Sequence, residues 1–132
     1  MVGLSTQGLP EIDREVELVA NVVAAGHRLQ GDAATRKAVL DALRGSRLIH
    51  LAGHAEARDD APPLSALRVC DGWLAAADLA DVPLAGALVV LSACRTGDPA
   101  LQWQGETMGG FPRALLAAGA AGIVASRWPV ED

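Results

Sequence analysis

A chain of 132 residues has the length of one domain, which removes multi-domain and solenoid architectures and leaves a single core that buries about two-thirds of the unfolded surface. Hydrophobic residues are 51% and charged residues 20%, with apolar runs broken by Gly, Pro or Asp, so neither a disordered nor a fibrous chain is expected. A net charge of -5, with Lys37 the single lysine and no cluster of arginines, argues against a surface that tracks phosphates, and nucleic acid is not an expected partner.

Val2 to Leu4 is a short apolar run. After the Gly8-Leu9-Pro10 break, Ile12, Val16, Val19, Ala20 and Val23 recur at helical spacing behind Glu11, Asp13 and Glu15, carboxylates that favour the positive end of a helix dipole, and Gly26 closes the segment. A stretch His27–Gln30 precedes a second helix with Thr35 as N-cap, Ala38, Val39, Ala42 and Leu43 on one face, and Gly45 at its end. The run 47–52 reads as a buried strand and leads directly into Gly53-His54. A polar loop over 56–63 comes next, then Leu67–Cys70 with Asp71-Gly72 as half of a hairpin, and a short helix within 73–79. Residues 87–91 are an unbroken apolar run of the kind buried on both faces of a parallel sheet, ending at Ser92-Ala93-Cys94. A Gly/Pro/Asp loop separates it from a helical stripe of Met108, Phe111, Leu115 and Ala118, with Gly119 just past its end; Pro112 fits only if that helix begins near Gly110. Residues 123–126 make a final strand before Trp128-Pro129.

Strands alternating with helices imply right-handed crossovers and a mainly parallel sheet. With 26 alanines and 3% aromatic residues, the core is expected to be built from small aliphatic side chains at close spacing. No apolar stretch approaches the roughly 18 residues of a membrane-spanning helix, and Met1–Thr6 lacks a basic, then apolar, leader; the expectation is a cytoplasmic chain without a membrane partner. Cys70 and Cys94 are then expected as reduced thiols, Cys70 buried and inert. The sequence stops just after a strand, so residues 1–132 are expected to be one domain cut from a longer chain.

In an open parallel sheet, reactive groups gather outside the carboxyl ends of the strands. His54 and Cys94 each follow such an end, and if the two strands are neighbours at about 4.8 Å their side chains share one crevice. A thiol is a strong nucleophile once deprotonated, and an imidazole can take and return its proton near neutral pH. The amides of Ala55 and Cys94 are candidates for an oxyanion hole, with Gly53 supplying permissive backbone for the turn. Taken singly, a strand-end cysteine is more often a small core residue and a lone histidine a satisfied hydrogen-bonding group. His50 and His54 would chelate zinc on a helix, but on a strand they lie about 13 Å apart, and no metal is expected. No phosphate-cradling glycine motif is present either, so no cofactor is implied.

The blocks Leu48-Ile49-His50-Leu51-Ala52-Gly53-His54, Leu64-Ser65-Ala66-Leu67, Val89-Val90-Leu91-Ser92-Ala93-Cys94-Arg95-Thr96-Gly97, Gly105-Glu106, residues 115–120 and Trp128-Pro129-Val130-Glu131-Asp132 run in order over nearly the whole chain. Together they resemble the CHAT family, caspase-like domains of the clan of caspases and separases, often found beside tetratricopeptide repeats. The resemblance implies an α/β, caspase-like three-layer αβα fold with a mainly parallel sheet, incomplete at its C-terminal end. It implies a cysteine endopeptidase acting through a Cys-His dyad and a thioester, with Cys94 in the nucleophile's position and His54 in the base's. Protein or peptide substrates are the implied partners, along with tetratricopeptide-repeat regions of the same or a neighbouring chain. Clan members that prefer Arg or Lys before the cut place a carboxylate in that pocket, for which Asp132 and Glu131 are the candidates here. The chain departs from the family pattern in having Ala55 where Gly usually follows the dyad histidine, and Arg95 where Glu usually follows the cysteine; a positive φ at position 55 would cost alanine about 1 to 2 kcal/mol. The rival implication is a catalytically silent interaction or regulatory module that needs the remainder of the domain.

Overall fold

The computed structural model describes residues 2–5, 10–23, 26–56, 58, 60–92 and 110–125. Among them, five strands form a parallel sheet in the order β2-β1-β3-β7-β8: β1 (Val2–Ser5), β2 (His27–Gln30), β3 (Leu48–Ala52), β7 (Leu88–Ser92) and β8 (Gly122–Ala125). A separate antiparallel sheet joins β4 (Ala55–Glu56), β5 (Ala66–Val69) and β6 (Gly72–Ala75) in that order. Three helices connect the large sheet: α1 (Pro10–Val22), α2 (Arg36–Leu43) and α3 (Gly110–Ala117). Short 3-10 turns occupy Gly31–Ala33, Pro62–Leu64 and Ala76–Leu79.

Connection handedness decides the layering. From β1 the chain steps outward to β2 through α1, whereas β2 to β3 and β7 to β8 step the opposite way through α2 and α3; right-handed crossovers therefore place α1 on one face and the other two helices on the other. The packing agrees. Ile12 and Val16 of α1 meet Ala52 on one face of β3, while Ile49 and Leu51, pointing the other way, join Val39, Leu43, Val89 and Leu115 in the main core. The fold is thus α/β with helices on both faces of a parallel sheet. Leucine, isoleucine and valine dominate the fully buried positions, among them Leu43, Ile49, Leu51, Leu67, Leu74, Leu79, Leu84 and Leu115, so the abundant alanines fill gaps between larger aliphatic side chains rather than forming the core themselves.

Local signals set most boundaries. Thr35 accepts from the Ala38 N–H at 3.1 Å and so caps α2, and Gly45 beyond its end has φ +74°. Pro112 is the third described residue of helix α3 (Gly110–Ala117), and Gly119 follows its end with φ +102°. Three segments depart from the sequence expectation. His27–Gln30 is a strand, His27 to Gln30 pairing with Val2 to Ser5 at the sheet edge. Residues 73–75 extend the hairpin, and only Ala76–Leu79 is helical. Cys70 is half-buried rather than fully buried, its Sγ 3.2 Å from the Asp32 carbonyl. The expected Gly/Pro/Asp loop after β7 and the Trp128-Pro129 turn lie outside the described residues.

Candidate active site

Strands β3 and β7 are hydrogen-bonded neighbours with Ala52 opposite Ser92, and the ladder is extended by the Gly53 N–H donating to the Ser92 carbonyl at 3.2 Å. The two strand tips named from the sequence therefore lie side by side. Gly53 is buried with φ +155°, a conformation that side chains other than glycine rarely adopt, and it carries the chain from the large sheet into the small one. His54 follows, half-buried at that junction.

The small sheet fixes His54 from the side. Its carbonyl accepts the Arg68 N–H at 2.8 Å, which continues the β4–β5 ladder by one pair beyond Ala55 opposite Leu67. In an antiparallel ladder bonded and non-bonded pairs alternate, so a bonded His54–Arg68 pair turns the Ala55 N–H away from β5, toward the side of β4 on which no described strand pairs. No described residue other than glycine has a positive φ, so Ala55 sits in β4 without the backbone strain that the exchange of glycine for alanine would bring in a left-handed turn. Downstream, the buried Ser65 Oγ accepts from the Arg58 N–H at 2.9 Å and its carbonyl from Ala76 N–H at 2.7 Å, which ties the segment after β4 to the hairpin.

Cys94, Glu131 and Asp132 lie outside the described residues, as do Arg95 and Trp128. His50 is committed elsewhere: it points to the opposite face of β3 from Ile49, is buried beneath α1, and has Nε2 3.1 Å from Glu15 Oε1 without hydrogen-bond alignment. Among the described residues no group of three His, Cys, Asp or Glu is placed to hold a metal ion, and no helix is long and apolar enough to cross a membrane. The Cys70 thiol is pushed up from its ordinary pKa by burial, with Asp71 and Asp32 adding to the effect, which disfavours its thiolate.

Sequence reasoning missed Arg68 and Trp73. They face each other across β5 and β6, with the Arg68 guanidinium 5.3 Å from the Trp73 ring centre, in the row that begins at His54. Reading Trp73 as helical hid the pair; the signal available was the alternation of residues 66–69, which puts Arg68 on the face away from Leu67 and Val69.

The model of the CHAT domain matches residues 1–132. The chain belongs to the CHAT family. As a caspase-like family, CHAT links this domain to peptidases at the family level, and the α/β arrangement with its mainly parallel sheet is compatible with a caspase-like fold. No curated protein matches this CHAT domain.

Proposed function

We propose that this CHAT domain is a cysteine endopeptidase in which Cys94 is the nucleophile and His54 its base. The observation that carries the proposal is the β3–β7 pairing: Cys94 and His54 each stand two residues beyond the directly opposed Ser92 and Ala52. His54 takes the proton from the Cys94 thiol, and the thiolate attacks the scissile carbonyl carbon. The resulting oxyanion is held by the amide N–H groups of Ala55 and Cys94, each such donor contributing about 3 kcal/mol. Support for the first is the unpaired ladder direction of the Ala55 N–H. Collapse to the thioester expels the amine, which leaves with the proton from His54; water then hydrolyses the thioester with His54 again as base. Glu131 and Asp132 are proposed to read a basic residue before the cut, and a cytoplasmic location and repeat-containing partners belong to the same proposal.

The test is labelling by a peptidyl electrophile near neutral pH. Wild type and Cys70→Ala are expected to take up one label and Cys94→Ala none, because burial and the neighbouring Asp71 and Asp32 disfavour the Cys70 thiolate. Equal labelling of wild type and Cys94→Ala, by mass spectrometry of the intact chain, would overturn the proposal and favour a silent interaction module.

A further inference from the structure

His54 just before β4, Arg68 of β5 and Trp73 of β6 fall in one cross-strand row: Arg68 donates its N–H to the His54 carbonyl, and Arg68 is opposite Trp73. Side chains of one row share a face, and Ala55, Leu67 and Leu74, on the other face, pack into the main core. The face that bears the His54 imidazole therefore also bears an exposed guanidinium and an indole 43% exposed. The guanidinium has no carboxylate partner among the described residues, whereas Arg36 is paired with Asp78 and Arg58 with Asp60. Glu56, in the next row of the same face, makes no ion pair with Arg68 within 4 Å. The Arg68 guanidinium lies over the Trp73 ring, a contact that restrains the side chain, and a guanidinium so held is suited to a bidentate carboxylate.

We infer that Arg68, held by Trp73, is a specificity-determining residue that binds an acidic side chain of the peptide substrate. The inference rests on the endopeptidase proposal for the use of the site, but the contact itself is a binding event that does not need the thiol. Arg68 is one strand spacing from His54 and the Trp73 ring it lies over is two, about 5 to 10 Å, which an extended peptide crosses in about two to three residues. The acidic residue thus lies about two to three positions from the cut, away from the position assigned to Glu131 and Asp132.

The experiment measures fluorescence anisotropy of labelled octapeptides from a positional library, each position in turn carrying Glu or Gln, against the full 132-residue chain bearing Cys94→Ala. At one position Glu is expected to bind about fivefold more tightly than Gln at low salt. Adding Arg68→Gln is expected to bring that ratio to about one, with Arg68→Lys retaining part of it and with unchanged circular dichroism in both. An equal Glu/Gln ratio with and without Arg68→Gln, or no binding of any library member, would overturn the inference. Cleavage of the same peptides by the chain with Cys94 intact reports separately: discrimination in binding without cleavage sinks the endopeptidase proposal and leaves the Arg68 contact standing.

Discussion

At residue scale, Gly53 is the position on which the geometry of His54 most depends. Its φ of +155° joins a strand of the large sheet to one of the small sheet while its N–H remains on the Ser92 carbonyl, and it is buried. A Cβ there meets the penalty for side chains at positive φ, so Gly53→Ala is expected to lower stability by about 1 to 2 kcal/mol in urea titration. Because the bend aims His54, the electrophile labelling rate of Cys94 in the folded variant is expected to fall by more than that of Ala55→Gly, which relaxes a backbone that is already unstrained. Equal rates in the two variants would show that the bend does not set the position of the imidazole. Gly53 was legible in the sequence, since the chain must leave a buried strand and expose a polar side chain within two residues. The conformation of Ala55 was not, because it depends on pairing with Leu67, twelve residues away.

At the scale of elements, the hairpin shows why register escapes sequence reasoning. Asp71-Gly72 reads as a two-residue turn, but Val69 pairs with Gly72, so the loop is Cys70-Asp71 and Gly72, at φ +143°, opens β6. Tertiary contacts choose this register. Asp71 Oδ1 accepts the Arg36 N–H at 2.7 Å at the start of α2, and the Cys70 N–H donates to the Ala34 carbonyl at 3.0 Å. Shifting by one residue would move Arg68 away from Trp73. The same helix start is tied to the turn after β6: Asp78 accepts from Arg36 Nε at 2.9 Å and from the Ala75 N–H at 2.9 Å. The hydrogen bond from Arg36 holds the Asp78 carboxyl below its ordinary pKa, against the opposing effect of burial. A depressed folded pKa means stability that is present above the unfolded value of about 4 and lost as pH falls through the folded one. Asp78→Asn is therefore expected to destabilise the chain by about 1 kcal/mol at pH 7 and to flatten the loss of stability below about pH 4, read from urea midpoints at a series of pH values. Identical pH profiles for variant and parent would remove Asp78 from the acid response.

Over the whole molecule, the described helices cover the two faces of the large sheet unequally, and their placement follows from topology. Only β1 to β2 steps outward, so among the described helices α1 alone lies on its face, where it packs on β1, β2 and β3. Over β7 and β8 that face leaves Leu88 and Val124 at 44% and 56% exposure, while Val89, one residue from Leu88, is fully buried under the main core. The alternation of helices and strands was readable from apolar spacing, and the run 87–91 was rightly read as a strand of the parallel sheet, which spans Leu88–Ser92. Its apolar residues at both parities implied equal burial on both faces, yet Leu88 on one is 44% exposed and Val89 on the other fully buried, because the side on which the described helices lie depends on which way each crossover turns. Matched substitutions expose the difference. Val89→Thr places a hydroxyl in the packed core and is expected to cost about 1 to 3 kcal/mol, whereas Val124→Thr, on the neighbouring strand with its side chain in solvent, is expected to stay within about 0.5 kcal/mol of the parent. Threonine keeps the β-branched shape in both cases, so strand propensity cancels and the difference between the two urea midpoints reports coverage alone. Comparable losses at the two positions would mean that the α1 face over β7 and β8 is as well packed as the other, and the one-sided arrangement would have to be abandoned.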